Sequence, residues 1–442
     1  MKSYVEILNK LVSFPTVNNP VEKIFPDKDI LDYIEEEILK PNNFESIQFE
    51  ENNYWSLVSY LKRKNPKILF IGHCDVVPPG PDWQTNPFEL EIIGDKAYGR
   101  GATDMKGSVA VMLSLAKEFS ELIDATIIYA LNLDEESGGQ FGAGKVLQIL
   151  EREKIRPDFV VNGDANGLQI VNRRRNPYVI SLNMSKRIKQ LKGIKKTRTF
   201  KTKIAGNRTM HAAYFMRDLD THCADVASDF LRVNSYKVQK ITGPFVKNNV
   251  LPSNISVEYI IPTEEGDEIH EYDENLTNFL YHVKKFETID IPSKPSDYGI
   301  NLTFNYLRED KESNLCQMDL RIMNNQMEDV ENYFKNFVES SQLKTEIEVK
   351  GSIVPVYTPL NSLLVQQSII VAEEMNLSSE TIEMGGATDS RWFSAESIPS
   401  IEFGPLGGNV HGANEFVELS SLEIVRQFYL KLVTRLSEHS KE

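Results

Sequence analysis

The stretch KILFIGHCD, at residues 67–75, decides the fold of this 442-residue chain. It is a short, continuous apolar run that ends in polar residues, a pattern typical of a buried strand. Two similar runs follow, ATIIYALNLD at 125–134 and DFVVNGD at 158–164, and the apolar spacing of Val109 and Met112 predicts a helix between strands. This alternation predicts an α/β fold with a mostly parallel sheet, whose site lies at the carboxyl ends of the strands.

The sequence pattern changes at two points along the chain. Its length favours two domains over one. From about residue 173 the sequence departs from the strand–helix alternation, and after about residue 351 that alternation returns. The sequence therefore predicts a catalytic domain formed by 1–172 and 352–442, interrupted by an inserted α+β domain at 173–351. Residues 241–315 are polar and poorly periodic, which predicts irregular elaborations on the inserted domain.

Charge and cysteine usage exclude several classes of protein. The net charge of -15 disfavours nucleic acid and anionic membranes as partners. Three cysteines without a CxxC spacing argue against a disulfide framework or a thiolate zinc site. The first twelve residues favour an amphipathic helix over a signal peptide, and together these features predict a cytoplasmic protein. The basic segment 183–203 is either a polyanion-binding patch or, as we favour, a solvated lid strand and loop.

Histidines and carboxylates gather at the predicted strand ends. Alone, each is more often a core or surface residue than a ligand, but their shared position at one edge is hard to produce by accident. Nitrogen and oxygen donors suit zinc or cobalt. One metal ion could not use the whole set, whereas two could if one carboxylate bridges them. The set comprises His73, Asp75, Asp104, Glu135, Glu136, Asp164 and His411.

Four motifs carry a resemblance to a known family. They are GHCDVVPPGPDWQTNPFELEIIGDKAYGRGATDMKG, LDEESGG, GGATDSRWF and IPSIEFGPLGGNVHGANEFVEL, beginning at residues 72, 133, 385 and 398. In this order they resemble the M20 family of dinuclear zinc amidohydrolases and peptidases. The resemblance implies a mostly parallel-sheet dinuclear-zinc catalytic domain interrupted by an α+β lid and dimerisation domain. It also implies two Zn2+ ions per chain, for which Co2+ could substitute, and a homodimer formed through the lid.

The resemblance implies a role for each residue of the set. It gives one zinc to His73 and Asp164, the other to His411 and Glu136, and makes Asp104 the bridging carboxylate.

Two further acids receive roles that do not involve direct metal binding. Asp75 is similar to the acid that orients the imidazole of His73. Glu135 is similar to the general base, which needs a free lone pair near the attacking water and so cannot also bind a metal. The resemblance further implies a cis peptide bond between Asp104 and Met105.

The inserted domain offers substrate-side candidates. His211 is similar to a lid histidine that stabilises an oxyanion. The alternative is that His211 is only a buried histidine of the lid. His222 is a rival for the oxyanion role. Arg321 resembles a lid arginine that holds a carboxylate, with a structural ion pair as the alternative. Asn305 is the candidate lid asparagine, for which Asn254 competes. The predicted lining of the substrate side of the second zinc comprises Gly386, Thr388 and Arg391.

The expected activity is therefore amide hydrolysis on an N-acyl amino acid. The stretches GRGATDMKG and HGANEFVEL favour the branch that contains acetylornithine deacetylase and succinyl-diaminopimelate desuccinylase. A dipeptidase or carboxypeptidase acting on a short peptide is the alternative, because it uses the same metal centre. A non-catalytic binding protein on this fold is disfavoured, since no ligand and no base is missing. No GxSxG motif supports a serine hydrolase.

Overall fold

The structure is a computed structural model of the chain. It describes residues 3–206, 209–263, 268–351 and 354–439. No helix in these ranges combines the length and the apolar composition that crossing a bilayer needs.

The chain forms two compact units. Unit 1 contains Met1–Arg174, Val356–Met384 and Thr388–Glu442, and unit 2 contains Arg175–Pro355 with Gly385–Ala387. The sequence predicts these changes after residues 172 and 351, a few residues from where the units divide. Residue 352 itself lies outside the described residues.

The first part of unit 1 alternates helices and strands. Helix α1 begins with a capping box, in which Ser3 accepts the backbone N–H of Glu6 and the Glu6 carboxylate accepts that of Ser3. The helices are α1 Tyr4–Val12, α2 Asp29–Ile34, α3 Lys106–Ser114, α4 Ala116–Leu122 and α5 Ala143–Arg152. The strands are β1 Glu45–Glu51, β2 Tyr54–Leu61, β3 Lys64–His73, β4 Glu91–Ile93, β5 Lys96–Tyr98, β6 Ala125–Asn132, β7 Phe159–Asn162 and β8 Ile170–Arg174.

Unit 2 is built on two four-stranded antiparallel sheets. Its strands are β9 Asn176–Ser185, β10 Ile188–Lys201, β11 Lys237–Thr242, β12 Asn254–Pro262, β13 Ile269–Asp273, β14 Asn301–Glu309, β15 Ser313–Ile322 and β16 Thr345–Gly351. Its helices are α6 Cys223–Val233, α7 Glu274–His282 and α8 Met327–Ser340. The sheet orders are β11-β12-β10-β13 and β14-β15-β9-β16.

The prediction of irregular elaborations over 241–315 is wrong. That region holds β12, β13, α7 and β14. Irregular segments that contain Pro252 and Pro292 separate these elements, so the alternation of each strand is diluted in a long sequence window. The basic segment 183–203 contains the end of β9 and all of β10, and most residues of β10 are exposed, in agreement with the favoured solvated strand.

The remaining elements complete unit 1. The strands are β17 Val356–Tyr357, β18 Thr381–Met384, β19 Ser400–Glu402, β20 Gly407–Gly408 and β21 Phe416–Glu418. The helices are α9 Leu363–Glu374, α10 Ser390–Ala395 and α11 Leu419–His439.

A nine-stranded sheet forms the centre of unit 1. Its order is β1-β2-β6-β3-β7-β19-β8-β17, with β18 paired to β8. The central strands β6, β3, β7 and β19 are mutually parallel, and antiparallel strands flank them. The predicted α/β class is confirmed, and the parallel centre brings the carboxyl ends of four strands to one edge.

Strand β3 shows why the sequence of a central strand is a continuous apolar run. Ile68 and Phe70 belong to one apolar cluster, whereas Leu69 and Ile71 belong to a second. Alternate side chains of a strand point to opposite faces, so both faces of the strand are covered. A strand buried on both faces needs apolar residues throughout, and polar residues become possible only where it ends.

Candidate metal centre and active site

Two groups of side chains that could hold metal ions share Asp104. The first group is His73, Asp104 and Asp164, and the second is Asp104, Glu136 and His411. In each group the ligand atoms lie within 4.8 Å of one another. Nε2 of His73 lies 3.0 Å from Oδ1 of Asp104, and Nε2 of His411 lies 3.0 Å from Oδ2. Asp104 thus presents one oxygen to each group, as a bridging carboxylate would.

The sheet topology brings these residues together. His73 is the last residue of β3, Asp164 follows the end of β7, and Glu136 lies in a short turn after β6. These three strands are parallel neighbours, so their ends lie side by side. Asp104 precedes α3, and His411 lies in the loop between β20 and β21. All five predicted metal ligands therefore meet within unit 1.

The loop that carries Asp104 is fixed by a carboxylate that the sequence did not single out. Glu415 accepts hydrogen bonds from the backbone N–H groups of Gly101 (3.0 Å), Thr103 (2.9 Å) and Asp104 (3.0 Å). It also pairs with Arg100 at 2.6 Å, and both side chains are 1% exposed. The motif HGANE contains Glu415, but neither spacing nor residue type distinguishes a carboxylate that holds a loop from an exposed one.

The peptide bond between Asp104 and Met105 is cis, as predicted. The next residue, Lys106, is buried, and its ammonium donates to the backbone carbonyl of Phe14 at 2.9 Å. The turn before α3 is thus held by contacts on both sides of Asp104.

Asp75 supports both the imidazole of His73 and the turn after β6. Nδ1 of His73 lies 3.0 Å from the backbone oxygen of Asp75 and 3.4 Å from its carboxylate. The carboxylate accepts the backbone N–H groups of Glu135 (3.3 Å) and Glu136 (3.0 Å). It also accepts the amide of Asn18 at 2.7 Å, a residue that the sequence did not indicate. Asp75 therefore links the histidine to the turn that carries the two glutamates.

The two histidines lower the pKa of Asp104 against the effect of burial, but three other carboxylates of this site lack sufficient compensating positive charge. Burial raises the pKa of Glu135 well above its usual value, and although His73 opposes this shift, Asp164 adds to it. Burial, together with the charge of Asp104, raises the pKa of Asp164 to about 7. Burial likewise raises the pKa of Glu136, partly offset by its hydrogen bond with His411. Raised carboxyl pKa values indicate a place that favours added positive charge.

The histidines respond to the same surplus of negative charge. Burial disfavours the imidazolium of His411, but hydrogen bonds with Asp104 and Glu136 raise its pKa to about 11. The pKa of His73 is raised in the same way by Asp104 and Asp75, against the effect of burial. Divalent cations would supply the missing charge, and imidazole with carboxylate donors suits zinc or cobalt. The donor set therefore fits a pair of such ions.

Thr388 is connected to the first ligand group through other buried side chains. Its hydroxyl hydrogen-bonds with the carboxylate of Glu402 on β19. Glu402 also pairs with Arg174, whose Nη2 donates to the backbone carbonyl of Asp164. This buried chain connects Thr388 to a candidate ligand without placing it on the substrate side.

Arg391 and Gly386 lie in different units. The guanidinium of Arg391 donates to the carbonyl of Gly138, beside the turn that carries Glu135 and Glu136. Gly386 has a φ of 85° and belongs to unit 2. Their predicted role as substrate contacts stays a prediction.

Arg321 and Asn305, the predicted lid residues, form hydrogen bonds within unit 2. Nε and Nη2 of Arg321 pair with Asp319 at 2.7 and 2.9 Å, and the arginine is 5% exposed. The amide of Asn305 donates to the carbonyl of Asn248 at 2.6 Å and to the hydroxyl of Thr303 at 2.9 Å. The structural ion pair that we kept as the alternative for Arg321 is thus present, and its substrate role stays a prediction.

His211 and His222, both in unit 2, differ in their surroundings. Nδ1 of His211 accepts the backbone N–H of Ala213 at 3.0 Å, and Nε2 lies 3.2 Å from the amide of Asn249. His222 is 1% exposed, and its Nδ1 accepts the backbone N–H of Ala224 as the N-cap of α6. Burial lowers the pKa of His222. His222 thus caps α6 in the structure, and the assignment of oxyanion stabilisation to His211 stays a prediction.

Comparison with known proteins gives a consistent assignment. The profile of peptidase family M20/M25/M40 matches residues 69–435. Succinyl-diaminopimelate desuccinylase of Hydrogenovibrio crunogenus is 25% identical over 451 residues, covering 99% of each chain. Aminoacylhistidine dipeptidase from Vibrio alginolyticus shares the fold with a TM-score of 0.72 at 14% identity, covering 98% of this chain and 96% of that one.

A dinuclear metal-binding peptidase of the M20 family from Bacillus subtilis also shares the fold, with a TM-score of 0.53 and 11% identity over 98% of each chain. The family profile spans most of the sequence and includes every candidate metal ligand. The chain belongs to peptidase family M20/M25/M40 and is a hydrolase of that family.

Proposed function

We propose that the protein is a dizinc hydrolase that cleaves the amide bond of an N-acyl amino acid. The observation that carries this proposal is the sharing of Asp104 between two ligand groups, while Glu135 belongs to neither. Such a division supplies two metal positions and one free carboxylate beside them. In this proposal His73 and Asp164 hold one zinc ion, His411 and Glu136 hold the other, and Asp104 bridges.

Bound zinc ions would supply a water of lowered pKa and would polarise the substrate carbonyl. The protein's own contribution begins with Glu135, whose backbone N–H is held by Asp75. Its carboxylate takes a proton from the attacking water. The protonated carboxyl group then passes this proton to the leaving amine.

The substrate class rests on sequence relatives. The relative from Hydrogenovibrio crunogenus, named a succinyl-diaminopimelate desuccinylase, aligns over nearly the whole of both chains. This favours a dicarboxylic N-acyl amino acid over a neutral one. The structural similarity to a dipeptidase favours a second candidate, hydrolysis of a short peptide at the same centre. In either case we expect a cytoplasmic homodimer formed through unit 2, with His211, Asn305 and Arg321 near the substrate.

A substrate screen tests the proposal. Full-length protein is loaded with Zn2+, its metal content is measured, and N-succinyl and N-acetyl amino acids are compared with dipeptides by detection of the released amine. We expect about two zinc ions per chain and the highest kcat/KM on an N-succinyl substrate. A preference for dipeptides would select the second candidate. Hydrolysis with only one strongly bound ion, and no gain from a second, would contradict the dinuclear assignment.

A further inference from the structure

Two buried ion pairs between an arginine and a glutamate lie beside the candidate metal centre. In the first, Arg100 pairs with Glu415 at 2.6 Å, and both side chains are 1% exposed. In the second, Arg174 pairs with Glu402, and their side chains are 5% and 0% exposed. The pairs have no residue in common, and both belong to unit 1. We call them the Glu415 pair and the Glu402 pair.

The Glu415 pair joins the segment that carries Asp104 to the segment that carries His411. His411 precedes Glu415 in the loop between β20 and β21. The Glu415 carboxylate accepts the backbone N–H groups of Thr103 (2.9 Å) and Asp104 (3.0 Å). In the opposite direction, the hydroxyl of Thr103 donates to the backbone carbonyl of Phe416. Two members of the second ligand group, Asp104 and His411, are therefore carried by segments that Glu415 connects.

The Glu402 pair holds Asp164, which belongs to the first ligand group alone. Nη2 of Arg174 donates to the backbone carbonyl of Asp164. On the other side, the backbone N–H of Asp164 donates to Oδ1 of Asn162 at 2.9 Å. The Glu402 carboxylate is itself fixed by the hydroxyl of Thr388. The backbone of Asp164 is thus held from both sides, and one of the two contacts comes from the Glu402 pair.

Stability alone does not account for these two pairs. A buried ion pair often adds little net stability relative to apolar residues of similar volume, because both charges lose their hydration. Such a pair does fix the position of the groups that are bonded to it. Partners behind a metal ligand orient that ligand and thereby set the affinity for the metal.

We propose that the two pairs position the two metal ions separately. The Glu415 pair sets the position of the ion at the second ligand group, and the Glu402 pair sets that of the ion at the first. This inference rests on the proposed dinuclear site. Glu415 and Glu402 are positioning residues, because each acts through the backbone of a segment that carries a ligand.

The test measures zinc affinity rather than turnover. Zinc-loaded full-length protein is titrated with a competing chelator, and the two stepwise affinities are compared with those of Glu415→Gln and Glu402→Gln. Each variant keeps the shape of the side chain and removes its charge. We expect one of the two affinities to fall roughly 10–100-fold in each variant, while the other stays near that of the unaltered protein.

Anomalous diffraction at the zinc edge identifies which ion is weakened. Crystals of the unaltered protein and of both variants are equilibrated with the same subsaturating concentration of zinc. Relative to the unaltered protein, Glu415→Gln should lose peak height beside His411, and Glu402→Gln should lose it beside Asp164. Equal loss at both positions in both variants would overturn the proposal.

A third ion pair of unit 1 provides the control. Glu118 on α4 pairs with Arg426 on α11, and neither helix carries a candidate ligand. Glu118→Gln should therefore lower Tm and leave both zinc affinities unchanged. If Glu415→Gln and Glu402→Gln behaved like this control, the two pairs would be structural only and the proposal would be wrong.

Milder variants cover the case in which a glutamate variant does not fold. Thr103→Val and Thr388→Val each remove one hydroxyl beside one pair and leave both ion pairs in place. They should show the same selectivity to a smaller extent, and unchanged zinc affinities in both would contradict the proposal. A single zinc ion in the unaltered protein would refute the dinuclear site itself. Two ions there, without selectivity in the variants, would refute this inference alone.

Discussion

The metal centre of unit 1 and the predicted substrate residues of unit 2 differ in how the fold positions them. In unit 1 the ends of parallel strands place His73, Glu136 and Asp164 side by side, and Asp104 joins them from a neighbouring loop. In unit 2, Arg321 is committed to a local partner on its own antiparallel strand. A site formed by sheet topology can thus be predicted from the residues at strand ends. A site formed by local pairing cannot, because the role of each side chain depends on which partner it contacts.

The largest expected effect tests the division of labour between the paired glutamates. Glu135→Gln keeps the shape of the side chain but removes the proton acceptor, so we expect kcat to fall roughly 10²–10⁴-fold. Zinc content should stay near that of the unaltered protein. The measurement is kcat on the best substrate of the screen, combined with metal analysis of the same sample.

Glu136→Gln is the matched control for this prediction. Because Glu136 belongs to a ligand group, its loss should lower zinc occupancy as well as activity. If Glu135→Gln lost zinc and Glu136→Gln kept it, the roles of the two glutamates would be exchanged. Full activity in both variants would show that the reaction does not require this metal centre.

The next prediction concerns the local pairing in unit 2. Asp319 and Arg321 form a buried, two-point ion pair. Removing one partner leaves a buried charge without compensation, so Asp319→Asn and Arg321→Met should each destabilise the protein by about 3–5 kcal/mol. The double variant should be less destabilised than the sum of the two. Denaturant unfolding of the four proteins measures this coupling.

KM distinguishes a structural pair from a substrate contact. If Arg321 also binds a substrate carboxylate, Arg321→Met should raise KM more than Asp319→Asn does, at equal loss of stability. Equal KM values in the two variants would confine Arg321 to its structural pair. Additive effects on stability would show that the pair is not energetically coupled.

The sequence is sufficient to predict those parts of the fold that depend on residue type and period. Strand β3, buried on both faces, appears as a continuous apolar run that ends at His73. The strands of 241–315 do not stand out, because irregular segments separate them and because they draw their stability from cross-strand neighbours distant in sequence. Asn254, for example, pairs with Lys201 across the sheet.

The candidate site shows the same limit. Metal ligands have a restricted chemistry, so histidines and acids at strand ends can be found without a structure. Supporting residues have no such signature. Glu415 and Asn18 are an ordinary acid and an ordinary amide until the fold places them on the Asp104 loop and on Asp75. Such roles follow from distances between segments, which residue type does not encode.

A third prediction distinguishes the roles of His211 and His222. His211→Ala should lower kcat roughly 10²–10³-fold if the imidazole donates to an oxyanion, with little change in stability. His222→Ala should instead destabilise the protein by about 1–3 kcal/mol, because it removes a buried N-cap, and should leave kcat nearly unchanged. Thermal unfolding and kcat together distinguish the two. The reverse pattern would transfer the catalytic assignment to His222.

The smallest expected effect on activity comes from Asn18, which hydrogen-bonds to Asp75 next to the candidate ligand His73. The hydroxyls of Tyr54 and Ser137 lie 3.2 and 2.8 Å from Oδ1 of Asn18, so its amide nitrogen is directed at Asp75. Asn18→Ala removes this donor, but two backbone N–H groups still hold Asp75.

We therefore expect Asn18→Ala to lower kcat/KM only about 10-fold, at the lower end of the effects seen when a residue behind a metal ligand is lost. Asn249→Ala, which removes the corresponding neighbour of His211 in unit 2, is the matched variant, and its effect on kcat should be smaller than that of His211→Ala. A loss for Asn18→Ala as large as that for Glu135→Gln would mean that Asp75 depends on a single side chain. The backbone of the turn would then contribute little, and the candidate metal centre would rely on local side-chain pairing as Arg321 of unit 2 does.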